Sequence, residues 1–464
     1  MKNRESDVRL VEIAGLYLLY YSTDHAFTHV MQDPRARLIT PDQIKTADDV
    51  KAVLAGAYST WQNANAFGEK YNTFGELMIN DGDIDWAGTF AEYDDIHNNT
   101  QVTTNPYIYQ VWANSYHTIN AANIVLSKLG VLLADEKDEV EGEAKFFRGV
   151  TYYYLVNFFA LPYSAGSTSA NPGVPLILQP VSGYDPSRDK LPRASVEAVY
   201  NQIISDLTDA AAKMPESAPA FKATKYSALA FLSRVYLSQA KYTQAATAAN
   251  TVIQSGEFSL VSSFDKAFNN AGNSSEDIFA IQQTSQSNSG TTDFGITTFY
   301  SSDPVGRGEL QVTPAHLAKY EAADERGEFF YDGESISGAT GKMTSKWRDL
   351  YKTIPVIRLS EMYLTRAEAN FRKGGAPVGP NSPLADVNII RNRAGLGALG
   401  SIANANVIVL ERYRELAFEG DRYFTVKRLQ LSANGHPYNF SRLILPVPQR
   451  EIDLGNALPQ NTGY

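Results

Sequence analysis

Ile354-Pro-Val-Ile-Arg-Leu-Ser-Glu-Met-Tyr-Leu-Thr-Arg-Ala-Glu-Ala369 opens the part of the chain that decides its fold class, and it reads as the beginning of a helix. Arg358 and Glu361 stand three apart in it, and Arg366 lies close to Glu368. The mixture returns in Glu411, Arg412, Arg414, Glu415, Glu419 and Arg422. Charges of both signs at helical spacing more often form structural ion pairs locking helices together than catalytic groups, so these read as scaffold. The chain then closes on Leu445-Pro-Val-Pro448, a tail that runs extended because a residue before proline avoids the helical region.

Moving toward the N-terminus, helical signals dominate up to residue 260. Val50, Val53, Leu54, Ala57, Tyr58 and Trp61 share one helical face. Asn105-Pro106 opens a helix over 107–129, because proline at the first turn lacks only an N–H that would be unpaired anyway. Further helices are expected over 139–159, stopped by Leu161-Pro162, and over 195–213. Between them, 164–193 is rich in Gly, Pro and Ser and reads as a long excursion. Residues 224–254 form a helix pair with the tetratricopeptide spacing, in which Leu232, Tyr236, Tyr242, Ala245, Ala249 and Val252 occupy the patterned positions. Ala245 would let the two helices approach while the tyrosines fill the groove beside it. From 258 to 347, Gly, Ser, Asn, Asp and Thr become frequent, which predicts short strands and long loops.

The fold class expected is therefore mainly α, a tetratricopeptide-like helix-pair scaffold with long loop and short-strand insertions. Three stretches organise it: an atypical N-terminal segment (1–38), a helical repeat half (39–260), and a loop-rich region with C-terminal helices and tail (261–464), the last two forming one compact assembly.

Composition narrows the function. The 464 residues are 44% hydrophobic and 20% charged, ordinary for a globular protein with a substantial core. A formal net charge of -10 argues against nucleic-acid binding, which needs clustered Lys and Arg to replace phosphate counterions. The absence of cysteine excludes disulfides, thiolate metal sites and cysteine nucleophiles. The histidines, His25, His29, His97, His117, His316 and His436, have no metal-ligand spacing, and neither a Gly-x-Ser-x-Gly elbow nor a phosphate-binding glycine loop occurs. No enzyme and no cofactor are expected. A hydrolase would need two carboxylates converging in a cleft.

Aromatic residues are abundant, with 27 Tyr and 22 Phe. Trp61 and Trp112 fall on helices and read as core. Trp86 stands in a polar stretch among Asp83, Asp85, Phe90, Glu92, Tyr93 and Asp94. A flat ring beside short carboxylates suits a sugar, which offers an apolar C–H face and a rim of hydroxyls. In the same stretch Asp81, Asp83, Asp85 and Glu92 match positions 1, 3, 5 and 12 of a calcium loop, although Trp86 replaces the glycine of position 6. A second aromatic group, Phe294, Phe299 and Tyr300 with Asp293 and Asp303, lies in the loop-rich region.

The C-terminal series, Val387-Asn-Ile-Ile-Arg-Asn-Arg-Ala-Gly-Leu396, Glu411-Arg-Tyr-Arg-Glu-Leu-Ala-Phe-Glu-Gly-Asp-Arg-Tyr-Phe424 and Gln460-Asn-Thr-Gly-Tyr464, resembles the SusD/RagB family of nutrient-binding lipoproteins. Ala144 to Arg148 resembles that family's Ala-x-x-x-Arg helix, and Gly173-Val-Pro-Leu176 and Pro192-Arg-Ala-Ser195 follow in the expected order. Thr425 departs from the Asp common there, with only a local hydrogen bond expected to change, and no proline precedes Gly463. The resemblance implies that Trp347 is structural. It also implies a surface protein of the outer membrane, facing outward, that binds oligosaccharide or polysaccharide and works with a SusC-like TonB-dependent transporter. A peptide- or protein-binding importer subunit is the alternative. The family's signal peptide and lipid-bearing cysteine are not seen, so a lipid anchor enters by resemblance alone; residues 10–21 are interrupted by Glu12 and are too short to span a membrane. The ligand residues expected are Asp83, Trp86, Phe90, Tyr93, Phe299 and Tyr300.

Overall fold

The computed structural model describes residues 40–183, 190–455 and 458–464. The atypical N-terminal segment (1–38), with His25 and His29, falls outside the described residues.

Helices α1 (Ala47–Gln62), α2 (Lys70–Ile79), α3 (Ala91–His97), α4 (Pro106–Ser127) and α5 (Ala134–Phe159) come first, with the three-residue strand β1 (Ile84–Trp86) between α2 and α3. Their ends follow from local chemistry. The Thr46 hydroxyl accepts from the Asp49 amide while the Asp49 carboxylate accepts from the Thr46 amide, closing α1's first turn. The Asn105 side chain accepts from the amides of Tyr107 and Ile108, and Pro106 takes the first helical position of α4. Next come α6 (Val196–Lys213), α7 (Lys225–Ser238) and α8 (Tyr242–Gln254). Consecutive helices pack on one another from α4 through α8, and α1 lies on α4. The fully buried Ala245 and Ala249 bring α8 close to its neighbours, and Leu232 and Val252 fill the interface.

Residues 258–358 hold most of the β-structure: β2 (Asp277–Ile281), the short helix α9 (Ile296–Tyr300), β3 (Leu310–Val312), α10 (Pro314–Leu317), β4 (Phe330–Glu334), β5 (Thr340–Thr344) and β6 (Ile354–Arg358). An antiparallel sheet runs in the order β1-β3-β5-β4, and β2 pairs with β6 in a separate antiparallel ribbon. The opening residues of the C-terminal series are thus strand: Ile354 faces Ile281 and Arg358 faces Asp277. Pro355 is tolerated because a two-stranded ribbon has only edge strands. Helix α11 (Leu359–Lys373) begins directly after it, followed by α12 (Pro383–Arg393), α13 (Ala405–Glu415), α14 (Asp421–Arg428) and α15 (Gln449–Asp453).

The largest core cluster draws on residues from Ile44 to Leu458. Trp61, Trp112 and Trp347 belong to it, and the Trp347 indole N–H donates to Phe418 O at 3.2 Å. The C-terminal charges do lock elements together, mostly across the fold, with pairs such as Glu368–Arg372 added along a single helix. Arg358 binds Glu276, Glu415 and Glu419, while Glu361 binds Arg234 and Arg412. Arg366 pairs with Asp386, and Glu368 takes Arg428 and Arg372. Thr425 donates to Asp421 at 3.0 Å, a local bond of the kind expected at that departure. Among the described residues no helix is long and apolar enough to cross a membrane.

Candidate ligand-binding surface

β1 ends in Trp86, and a short return through Ala87, Gly88 and Thr89 places Phe90 at the entrance of α3. A Cβ on Gly88 would lie 2.4 Å from Cζ2 of the indole, so the backbone can cross the ring this closely only as glycine. Tyr93 runs parallel to the indole, with centroids 5.6 Å apart and planes 6° apart. Phe90 stacks with Phe294 at 5.6 Å and 14°. Tyr107, from the first turn of α4, meets Phe90, Tyr93 and Phe294 at 5.9, 4.9 and 5.6 Å. Phe299 closes the group 4.9 Å from Tyr93.

Depth sorts these rings into two layers. Tyr93 and Phe299 are fully buried, whereas Trp86, Phe90, Tyr107 and Phe294 are half-buried and reach the surface. A cation attends each side. Lys70 Nζ, in the interior, lies 4.5 Å from the Phe294 centroid. The Arg307 guanidinium, nearer solvent, lies 4.7 Å from the Phe90 centroid. Arg307 ties three segments together: Nε donates to Glu309 at 2.7 Å, Nη1 to Asp293 at 3.1 Å and Nη2 to the Thr89 hydroxyl at 2.7 Å. Burial pushes the Glu309 carboxyl up to about 7, against the opposing pull of Arg307. The Tyr93 hydroxyl donates to buried Glu69 at 2.5 Å, and burial together with that carboxylate raises its pKa well above the usual tyrosine range.

Several expected ligand residues are held elsewhere by the fold. Asp83 is buried and accepts from Lys319 and the His316 ring, 3.2 Å away; burial opposes its charge, but these bonds, with one from Asp81, hold the carboxyl well below its usual value. Tyr93 and Phe299 support the outer rings from beneath, so neither offers a face to a ligand. Tyr300 is fully buried and donates to Asn72 at 2.9 Å. The calcium pattern is not gathered into a cage either. Asp81 is taken by Arg422 and Asp83 by Lys319, while Asp85 points outward at the surface. Among the described residues no group of three or more His, Cys, Asp or Glu is placed to hold a metal.

Trp86 and Phe90 are thus brought together at the surface, joined by Tyr107, Phe294 and Arg307, with Lys70 buried behind them. The sequence signal available for Tyr107 was its place just after the capping Asn105-Pro106. Arg307 was marked only by its setting between Gly306 and Gly308, a weak cue.

The fold is a helix-pair scaffold of the helical-repeat class with an aromatic surface beside its inserted loops. Its relatives sharpen this. A family model described as "Starch-binding associating with outer membrane" (SusD-like) matches residues 36–237, and the SusD family model matches 333–435. The chain is 26% identical to SusD-like protein P2 of Formosa agariphila, over 93% of this chain and 96% of that protein. It is 31% identical to the starch-binding protein SusD of Bacteroides thetaiotaomicron over 29% of this chain and 24% of that one. A crystal structure of a SusD superfamily protein from Bacteroides thetaiotaomicron superposes with a TM-score of 0.80 at 24% identity, covering 90% of this chain and all of that one (100%). Surface glycan-binding protein A from Bacteroides uniformis gives a TM-score of 0.74 at 19% identity, covering 90% and 99%. The chain belongs to the SusD/RagB family.

Proposed function

We propose that the protein captures an oligosaccharide on the surface formed by Trp86, Phe90, Tyr107 and Phe294 and passes it, chemically unchanged, to a SusC-like TonB-dependent transporter of the outer membrane. The observation that carries this reading is the layered aromatic group itself: four half-buried rings, braced from below and edged by hydrogen-bonding side chains. Pyranose rings rest their C–H faces on such planes, and Arg307, Asp293 and Thr89 lie within reach of ring hydroxyls. The starch-binding and glycan-binding relatives support a carbohydrate over other ligands. Family membership supports an outward-facing place on the outer membrane, with attachment through a lipid. No catalysis is assigned to this surface. Of the buried carboxylates near it, Glu69 is bound to Tyr93 and Gly295, Asp83 to Lys319, and Glu309 to Arg307.

The test is titration of the purified protein with plant, host and microbial glycans, followed by tryptophan fluorescence and heat. Saturable binding that is lost in Trp86→Ala or Phe90→Ala, with the glycan recovered intact, is the expected result. Binding unaffected by both substitutions would place the site elsewhere. Silence toward every glycan, with binding of peptides, would reassign the ligand class, and newly released reducing ends would overturn the non-catalytic assignment.

A further inference from the structure

The aromatic surface has one buried acid behind it that the stacking of rings does not require. Glu309 begins the turn into β3, between Gly308 and Leu310, and its side chain has no exposed surface. One carboxyl oxygen accepts from Arg307 Nε at 2.7 Å, and the Thr89 backbone amide faces the group. The other oxygen, Oε2, has no hydrogen-bond partner among the described residues. Leaving a buried carboxylate oxygen unpaired is costly, so the acid's position calls for a reason beyond packing.

We infer that Glu309 is a positioning residue of the ligand surface: it aims the Arg307 guanidinium across the face of Phe90, so that the arginine's uncommitted N–H donors serve hydroxyls of a glycan resting on the neighbouring rings. This rests on the glycan-binding reading above. A guanidinium has five N–H donors in a rigid plane. Glu309, Asp293 and Thr89 take three of them, leaving one on each terminal nitrogen. Asp293 and Thr89 are themselves at the surface, so only Glu309 anchors the fork from the protein interior. An arginine fixed in this way loses little freedom on binding, which is what preorganisation contributes to affinity.

The anchor holds best when Glu309 is ionised. Its neighbours are few and their roles are fixed. Arg307 and the Thr89 amide favour the charge, while Glu69, whose oxygens accept from the Tyr93 hydroxyl and the Gly295 amide, opposes it. Lys70 lies against Glu69 at 3.7 Å, and Asp293 touches only the outer edge of the arginine. Because burial places the Glu309 carboxyl at about 7, protonation on going below neutrality slackens its hold on Arg307. Ligand affinity should therefore fall as pH falls through neutrality. Glu76, pushed up to about 8 by burial, titrates near the start of the β1 loop. The profile is accordingly read as the difference between wild type and a Glu309 variant.

The experiment is calorimetric titration with the tightest binder among maltoheptaose, xylohexaose, mannohexaose and laminarihexaose, from about pH 6 to about pH 8. Wild type should bind about tenfold more tightly at the upper end, the scale of one charge-assisted contact. Glu309→Gln should bind as weakly as acidified wild type and lose that part of the slope. Arg307→Lys, which keeps the charge but not the fork, should also bind weakly, and it serves as the second variant if the glutamine substitution does not fold. Wild-type affinity and slope in both variants, while Phe90→Ala abolishes binding, would overturn the role of Glu309 and leave the surface intact. Failure of wild type to bind any of these glycans would overturn this inference, and glycans bound without dependence on Phe90 would overturn the site itself.

Discussion

Arg358 Nη1 donates to Glu276 Oε2 at 2.8 Å, and neither side chain has any exposed surface. The pair joins the end of β6 to the segment leading into β2, and Glu415 and Glu419 complete the arginine's shell from α13 and the turn after it. Burying such a charge is tolerable only while every partner stays in place.

Removing the arginine should therefore be severe. Arg358→Met is expected to destabilise the protein by about 3–5 kcal/mol, because Glu276, Glu415 and Glu419 stay buried together with one cation fewer, Arg393 still binding the first two and Lys346 the third. Urea unfolding measures this; a loss under about 1 kcal/mol would show that the network relaxes or hydrates freely.

Glu76 supplies a pH test of stability. Burial raises its carboxyl to about 8, with Asp83, Asp81 and Asp421 adding to the effect against the Gly420 amide that it accepts at 2.8 Å. A carboxyl raised on folding contributes most stability when protonated, below its unfolded value of about 4.5, and loses that contribution as pH rises through about 8. Glu76→Gln keeps an acceptor for Gly420. It should be more stable than wild type at about pH 8, by about 1–3 kcal/mol, and near parity at about pH 5. Equal profiles from thermal melts across that range would remove Glu76 from the account.

Gly88 tests the outer ring. An alanine Cβ would meet Trp86 Cζ2 at 2.4 Å, so Gly88→Ala should displace the indole and weaken glycan binding about tenfold. Because the turn is at the surface, unfolding stability should change by less than about 1 kcal/mol. Unchanged affinity would mean that the ligand does not use that ring.

Ala245 tests the helix-pair scaffold. It has no exposed surface and packs with Leu237, Ala246 and Ala369 in the junction between α7, α8 and α11. Ala245→Leu should cost about 1–3 kcal/mol by overpacking, read from the denaturation midpoint, whereas a leucine at exposed Thr247 should cost far less.

The helical half of the chain was readable because periodicity and small residues carry their meaning locally. Val50, Val53, Leu54, Ala57 and Trp61 line one buried face of α1, and the 224–254 spacing marks α7 and α8. Ile354–Arg358 was legible as ordered but not as strand, since a short apolar run is compatible with either state. Its pairing with Asp277–Ile281, far away in sequence, decides the matter. The same reason explains the ion pairs: charge spacing announced a scaffold role for Arg358 and Glu361, while their actual partners came from other elements.

The surface divides along the same line. Residue type alone pointed to Trp86 and Phe90, because flat apolar rings in a polar, non-periodic stretch suggest recognition. Tyr93, Phe299 and Tyr300 have the same chemistry but turn inward, and Arg307 arrives from a glycine-flanked loop with little to announce it. Fold class, helix pairs and the family signature lie in the order of residues along the chain, because they depend on spacing within one element. Which rings face a ligand, and which acid sits behind the arginine, depend on where distant segments meet; burial and pairing are properties of contacts, and only the folded chain has those contacts.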